Sequence, residues 1–384
     1  MNTKAAPFRV LVVDDSASAR VMLRQIIESD PALQVQALAE DAFAAARIMA
    51  NTLPDVILLD LEMPKMDGVT FLRKIMAQRP LPVVICSSLN ADGARRSVEA
   101  MEAGAMGVIR KPEKADREKF DEARATICDA LIAAAMAGRR GGPGGQVAAK
   151  AHGGAPDAAV PLPLRSTPRL SADEILPAPS ALRPPPPTQP VVCIGASTGG
   201  TEALSQILCD LPPDAPAIVV VQHMPKGFTA AFSARLNGLA QIEVLEATEG
   251  LAVKQGRCII AAGDSHMLLR RSGTAYRVEL SNGPAVSRHR PSVDVLFRSA
   301  AQAAGGNALG ILLTGMGMDG AQCLGEMMRA GAHTIAQNEE TCVVYGMPRE
   351  AVQLGHARQV LGLPRISGAI TGFARLHGSK AEVV

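Results

Sequence analysis

Two α/β units, each built on a mainly parallel sheet and joined by a linker, are what this sequence predicts. Three observations carry that reading. Short apolar runs alternate with stretches of helical spacing, first over residues 8–138 and again from Val191 onward. Aromatic residues are only 3% of the chain, with no Trp and two Tyr, so Ala, Val, Leu and Ile must fill the core, as they do in α/β layers. Between Gly141 and Pro190 the composition changes abruptly. Those 50 positions hold 12 Pro and 6 Gly and no aromatic residue, too little apolar mass to bury a core. The expected division is therefore a first unit over 1–138, a flexible linker over 139–190 and a second unit over 191–384, each unit of ordinary domain size.

In the first unit Phe8–Val13 is an apolar strand. Ser16 follows as an N-cap for a helix that carries Leu23, Ile26 and Ile27 on one face. Val35–Ala39, Val56–Leu59, Val83–Cys86 and Gly107–Arg110 give four more strands with helical patterns between them. Right-handed crossovers then place every strand's carboxyl end on one edge of the sheet, where ligands bind. The second unit opens with the strand Val191–Ile194, the turn Gly195–Gly200 and a helix over Thr201–Cys209. Later apolar runs at Ala217–Val221, Cys258–Ala262, Leu309–Leu313 and Thr334–Ala336 fit further strands.

Composition also excludes function classes. A net charge of +2, from 39 Lys and Arg against 37 Asp and Glu, argues against a strongly basic nucleic-acid binder. No apolar stretch reaches the ~18 residues that span a bilayer, and the apolar run at Val10–Val13 is broken at once by Asp14 and Asp15, so no signal peptide is expected. Seven cysteines, none in a C-x-x-C pattern and most inside apolar runs, suit buried free thiols in a reducing, cytoplasmic compartment.

Polar residues at strand ends carry the chemistry. Asp14 and Asp15 end the first strand, Asp60 the third, Ser87 and Ser88 the fourth and Lys111 the fifth. Three carboxylates at one edge repel one another unless a hard cation joins them, and Mg²⁺ fits that role. An aspartate beside Mg²⁺, a hydroxyl and a lysine can attack a phosphoryl donor.

In the second unit Gly195-Ala196-Ser197-Thr198-Gly199 follows a strand and opens a helix, the setting of a serine nucleophile elbow. A Gly-rich turn there also suits a nucleotide phosphate, but no acidic residue closes the next strand; Gln222-His223 stands there instead. His223 reaches the same sheet edge as Ser197 and can serve as its base. Asp319, on the loop Thr314-Gly315-Met316-Gly317-Met318-Asp319-Gly320 after another buried strand, can orient the imidazole. Backbone N–H groups of that loop can hold an oxyanion. In Arg288–Phe297 the charged half suits substrate contact, whereas Val293, Val295, Leu296 and Phe297 look like core.

Two resemblances sharpen these readings. Val12-Val13-Asp14-Asp15-Ser16, Leu59-Asp60-Leu61-Glu62-Met63-Pro64 with Asp67-Gly68, Ser87-Ser88 and Lys111-Pro112 resemble the receiver domain of two-component response regulators over about residues 7–130. That implies a flavodoxin-like fold with a five-stranded parallel sheet, Asp60 as phosphoacceptor, Asp14, Asp15 and Asp60 as Mg²⁺ ligands, Ser87 as switch hydroxyl and Lys111 as phosphate contact. Val108 stands three positions before the lysine, where many receivers carry an aromatic switch residue.

From about residue 191 to 375 the chain resembles the chemotaxis protein-glutamate methylesterase (CheB) family. The similarity rests on Ile194–Leu204, Gln222-His223-Met224-Pro225, Arg288–Phe297, Leu313–Gly320 and Ile335-Ala336-Gln337-Asn338-Glu339. It implies a doubly wound esterase domain with Ser197 as nucleophile, His223 as general base and acid, Asp319 as orienter and the Met316 N–H as oxyanion donor, without a cofactor for that step. It further implies methylated chemoreceptors as substrates, deamidation of particular receptor glutamines, a chemotaxis histidine kinase as phosphodonor, and restraint of the esterase until the receiver is phosphorylated. Neither nucleic acid nor membrane insertion belongs to this picture. Of two rival readings, a transcriptional regulator needs a basic recognition helix that the second unit lacks, and a receiver joined to a nucleotide-binding domain would not be labelled at Ser197 by a serine-reactive fluorophosphonate.

Overall fold

The computed structural model describes residues 6–88, 91–112, 117–139, 170–179 and 189–378. They fall into two compact units that part between Pro168 and Arg169.

The N-terminal unit runs β1 (Phe8–Val13), α1 (Ala17–Glu28), β2 (Leu33–Ala39), α2 (Ala42–Asn51), β3 (Val56–Asp60), α3 (Gly68–Gln78), β4 (Val83–Ser87), α4 (Ala91–Glu102), β5 (Gly107–Arg110) and α5 (Arg117–Arg139). The strands form one parallel sheet in the order β2-β1-β3-β4-β5, the flavodoxin-like arrangement. β3 and β4 are buried on both faces, which is why they read as continuous apolar runs rather than alternating ones. Side-chain caps start the helices where the strands end. Ser16 Oγ accepts from the Ala19 N–H at 3.3 Å, Asp41 from Ala44 at 2.8 Å and Asp67 from Thr70 at 3.0 Å.

The second unit carries β6 (Val191–Ala196), α6 (Gly200–Cys209), β7 (Ala217–Gln222), α7 (Phe228–Leu239), β8 (Glu243–Glu246), β9 (Ala252–Val253), β10 (Arg257–Ile260), β11 (His266–Ser272) and β12 (Ala275–Ser281). It continues with α8 (Val293–Ala303), β13 (Ala308–Leu312), α9 (Ala321–Arg329), β14 (His333–Gln337), α10 (Met347–Gln353), β15 (Gln359–Leu361) and α11 (Ile366–Gly378). Seven strands pair in parallel in the order β15-β14-β13-β6-β7-β10-β8, with β6 at the centre. A separate antiparallel sheet, β11-β12-β9, was not foreseen. In β12 buried Tyr276 and Val278 alternate with the more exposed Ala275, Arg277 and Glu279, a two-sided pattern weaker than the apolar runs of the main sheet. In α8, Val293, Val295, Leu296 and Phe297 are fully buried, so this half of the Arg288–Phe297 segment is core.

One stretch of the expected linker is not free chain. Residues 170–179 carry a single 3-10 turn, Ala172–Glu174, and pack on the second unit. Ala172 and Leu176 are buried in its core. The buried Arg298 of α8 donates to Asp173 Oδ1 at 2.6 Å and to the Leu176 carbonyl at 3.0 Å, while its other nitrogens make a bidentate pair with Glu326 at 2.7 and 2.9 Å. Two apolar side chains and one partner for a buried guanidinium suffice to dock a strap, and an average over fifty polar and proline positions hides them. The remainder of the expected linker lies almost entirely outside the described residues.

Candidate active site and phosphoacceptor site

Ser197 directly follows the central strand β6, and His223 directly follows its neighbour β7. The strands are in register to their last residues, Ala196 opposite Gln222, so Ser197 and His223 stand at the same level of the sheet edge. The His223 N–H donates to the Ala196 carbonyl at 3.1 Å. Asp319 comes from the loop after β13, which flanks β6 on its other side.

The turn at Ser197 needs its glycines. Gly199 has φ 76°, and a Cβ there would lie 2.5 Å from the Cβ of Val343. Gly315 abuts the serine itself, since a Cβ on it would lie 2.7 Å from Ser197 Cβ. That closeness brings the loop backbone, with Met316 next in line, against the nucleophile position. The Ser197 N–H is fixed on the Thr314 carbonyl at 3.0 Å, and Gln222 Nε2 donates to the Ser197 carbonyl at 2.9 Å.

Asp319 is almost fully buried and accepts four hydrogen bonds. His223 Nε2 lies 2.8 Å and the Val293 N–H 2.7 Å from Oδ2; Ser292 Oγ lies 2.8 Å and the Asp294 N–H 3.0 Å from Oδ1. Its carboxylate thus closes the N-terminus of α8, whose own N-cap residue Ser292 makes no cap bond. Burial works against its charge, but the hydrogen bond and charge of His223, and the backbone donors, hold its pKa below the usual carboxylate range. The buried Asp294 next to it moves the opposite way, raised by burial and by the charge of Asp319. With Nε2 committed to Asp319, His223 Nδ1 is buried and has no hydrogen-bond partner among the described residues.

In the first unit Asp14, Asp15 and Asp60 converge so that one carboxylate oxygen from each lies within 4.8 Å of the others. Lys111 Nζ donates to Asp60 Oδ2 at 2.7 Å and sits 2.8 Å from Asp14 Oδ2 as an ion pair. Asp14 Oδ2 is buried yet lacks a hydrogen bond of good geometry. An oxygen so placed, in a set of three carboxylates, fits a hard divalent cation. Burial raises the pKa of Asp60 despite Lys111. Burial also opposes the charge of Lys111, but Asp14 and Asp60 outweigh it and keep that amine protonated. Ser87 is fully buried at the end of β4, and Ser88 Oγ donates to Glu62 at 3.1 Å. Val108 is buried in β5.

Residues 192–370 match the family model of CheB methylesterases, and residues 10–119 that of response regulator receiver domains. A protein-glutamate methylesterase/protein-glutamine glutaminase of a group 3 operon in Cereibacter sphaeroides is 59% identical over 374 residues, with 97% of each chain covered. The chain belongs to the CheB methylesterase family. Another relative of that description, from Anaeromyxobacter dehalogenans, is 53% identical and covers 97% of this chain and 98% of its own. The solved catalytic domain of CheB from Thermotoga maritima is 36% identical, covers 48% of this chain and 97% of that one, and has a TM-score of 0.47. Membership makes this CheB chain a hydrolase under receiver control.

Sequence reasoning missed several residues around the CheB site. Gln222 clamps the serine turn; Ser292 and the first N–H groups of α8 hold Asp319; His266, buried, accepts the Ser292 N–H on Nδ1 at 3.2 Å and donates from Nε2 to Pro284 at 2.9 Å. His289 stacks on His223. Gln222 carried a signal as a polar residue closing a buried strand, and His289 as part of the charged half of Arg288–Phe297. No helix among the described residues is long and apolar enough to cross a membrane.

Proposed function

We propose that the second unit hydrolyses glutamate methyl esters on the cytoplasmic helices of chemoreceptors, and deamidates particular receptor glutamines, through Ser197, His223 and Asp319. The observation that carries this reading is the His223–Asp319 pair at 2.8 Å, which leaves Nδ1 unpartnered on a residue that ends its strand level with Ser197. Ser197 Oγ attacks the ester carbonyl while Nδ1 takes its proton. Asp319 holds Nε2–H and stabilises the imidazolium that forms. The N–H of Met316 faces the oxyanion; it donates to no other backbone carbonyl in the described turns and loops. The intermediate collapses, His223 protonates the departing methoxide, and methanol leaves an acyl-serine. Water, deprotonated by His223, then releases glutamate and free Ser197. For a glutamine side chain the leaving group is ammonia, and the same residues serve.

The first unit takes a phosphoryl group on Asp60 from the phosphohistidine of a chemotaxis histidine kinase. Asp14, Asp15 and Asp60 would hold Mg²⁺, which when bound neutralises charge on the phosphoryl oxygens. Lys111 contacts the phosphoryl group, and the Ser87 hydroxyl reports it. The setting is cytoplasmic.

Methanol released from methylated receptor membranes tests the esterase, together with fluorophosphonate labelling followed by peptide mass spectrometry. Wild type releases methanol and is labelled at Ser197; Ser197→Ala does neither. Label on another serine, or turnover by Ser197→Ala, would overturn the assignment.

A further inference from the structure

We propose that His289 is a positioning residue for the ester hydrolysis: by stacking on His223 it fixes the plane of the catalytic imidazole. The proposal rests on the triad assigned above. The two rings lie 3.7 Å apart between centroids and 10° from parallel. A single hydrogen bond from Nε2 to Asp319 anchors one atom of the His223 ring, but it leaves the ring free to swing about its Cβ–Cγ bond. That swing would carry Nδ1 away from the serine. A flat partner against one face removes it.

The loop that presents His289 is shaped for the purpose. Val286 and His289 exchange two backbone hydrogen bonds, 2.8 and 3.1 Å, closing a two-residue turn. Its central residues, Ser287 and Arg288, have φ of 51° and 70°. Both positions belong to the left-handed region that turns of this type fill with Gly or Asn, so a Ser and an Arg there are strained. The strain is held in place by specific contacts. Val286 is fully buried, the Ser287 N–H donates to the Leu170 carbonyl at 2.9 Å, and Ser287 Oγ reaches Asp294 at 3.3 Å. Asp294 in turn opens α8, whose N-terminus binds Asp319. The stacking ring and the orienting carboxylate are therefore mounted on one connected framework, and His223 is gripped from both.

The experiment compares His289→Ala with His289→Phe in the full chain. Phe keeps a flat ring and discards both nitrogens. Methanol release gives kcat and KM, and proton NMR reads the low-field resonance of the His223 Nε2–H held by Asp319. For His289→Ala we expect kcat to fall roughly 10- to 100-fold with KM within about threefold, as a slightly misplaced base costs, and the resonance to broaden by exchange. His289→Phe is expected to recover most of kcat and to keep the resonance sharp. An unchanged kcat in His289→Ala refutes the proposal. So does a Phe variant as impaired as the Ala variant, which would make a ring nitrogen the working part, and so does a loss confined to KM, which would make His289 a substrate contact. The resonance is read without turnover, so failure here is separable from failure of the Ser197 assignment, which the serine variant tests alone.

Discussion

Replacing Asp319 by Asn changes one atom and tests the electrostatics of the site most sharply. All four acceptor directions of this carboxylate are taken: two by backbone N–H groups of α8, one by Ser292 Oγ and one by His223 Nε2. An amide has one oxygen, so either orientation turns an NH₂ against a backbone N–H, that of Asp294 or that of Val293. With the NH₂ toward Val293 it also faces His223, forcing Nε2 to become the acceptor and placing the imidazole proton on Nδ1, where the base should be vacant. With the NH₂ toward Asp294 the tautomer survives, but the charge that stabilises the imidazolium is gone. A wrong tautomer or missing counter-charge in a triad costs on the order of 10²- to 10⁴-fold in kcat, about 3–5 kcal/mol of barrier. The fold suffers separately. One charge-assisted bond to a helix N-terminus is lost and one buried N–H is left unpaired, together about 2–3 kcal/mol, or roughly 5–10 °C in melting temperature for a unit of this size. Assays of methanol release at a temperature where the variant remains folded, checked by circular dichroism, separate the two effects. A folded Asp319→Asn with kcat within tenfold of wild type would refute the orienting role.

Buried groups supply two further predictions and the receiver a third. Asp294, with its pKa raised by burial and by Asp319, keeps its proton in the folded state where the unfolded chain has released it, so its contribution to stability falls as pH rises above about 4. Asp294→Asn imitates the protonated acid, and its melting temperature relative to wild type should improve from pH 5 to pH 8; an equal difference at both would show that Asp294 ionises normally. A catalytic fragment should begin at Arg169, not Pro190, because the later start deletes Ala172, Asp173 and Leu176. Burial of Leu176 alone contributes about 1.5–3 kcal/mol, so the shorter fragment should melt roughly 4–10 °C lower. The fragment from Arg169 should also hydrolyse faster than full-length Asp60→Asn, which retains the receiver but cannot be phosphorylated; equal rates would leave the receiver no restraining role.

Both parallel sheets, apart from the edge strands β8 and β15, and the candidate residues Ser197, His223 and Asp319 beyond their strands were legible because buried parallel strands write themselves plainly. Val191–Ala196, Ala217–Gln222 and Ala308–Leu312 are buried on both faces, so they appear as apolar runs; Ser197 and His223 stand where the first two stop, and Asp319 on the loop after the third. Asp14, Asp60 and Lys111 were found by the same rule. His289 follows no such run. It sits at the end of a polar turn whose backbone angles break the preference of Ser287 and Arg288, and only tertiary packing reveals the ring beneath it. The strap at 170–179 was hidden by its neighbours' composition, and in the sheet β11-β12-β9 the strand β12 was hidden by its alternation of buried and solvated residues. In Arg288–Phe297 the apolar half declared itself as core, whereas the N–H groups of Val293 and Asp294 carry no sequence signal at all, since every residue but proline has one.

The two sites solve opposite electrostatic problems with the same amino acid. Asp60, the proposed phosphoryl acceptor, sits among other carboxylates, partly neutralised by Lys111, with burial pressing against its charge. In the proposed triad Asp319 stays ionised so that an imidazolium can form next to it, and His223 together with the N-terminus of α8 supplies what a lysine could not. Fixed N–H dipoles stabilise the carboxylate without adding a mobile cation that would compete with His223 for it. The cost of that arrangement falls on Asp294, which lies in the first turn of the same helix and is denied easy ionisation by burial and by the charge it helps to hold. The proposed catalysis and the start of α8 therefore rest on one carboxylate. Loss of its charge weakens both, whereas removing the Ser197 hydroxyl, which forms no hydrogen bond with the described residues, leaves this framework intact.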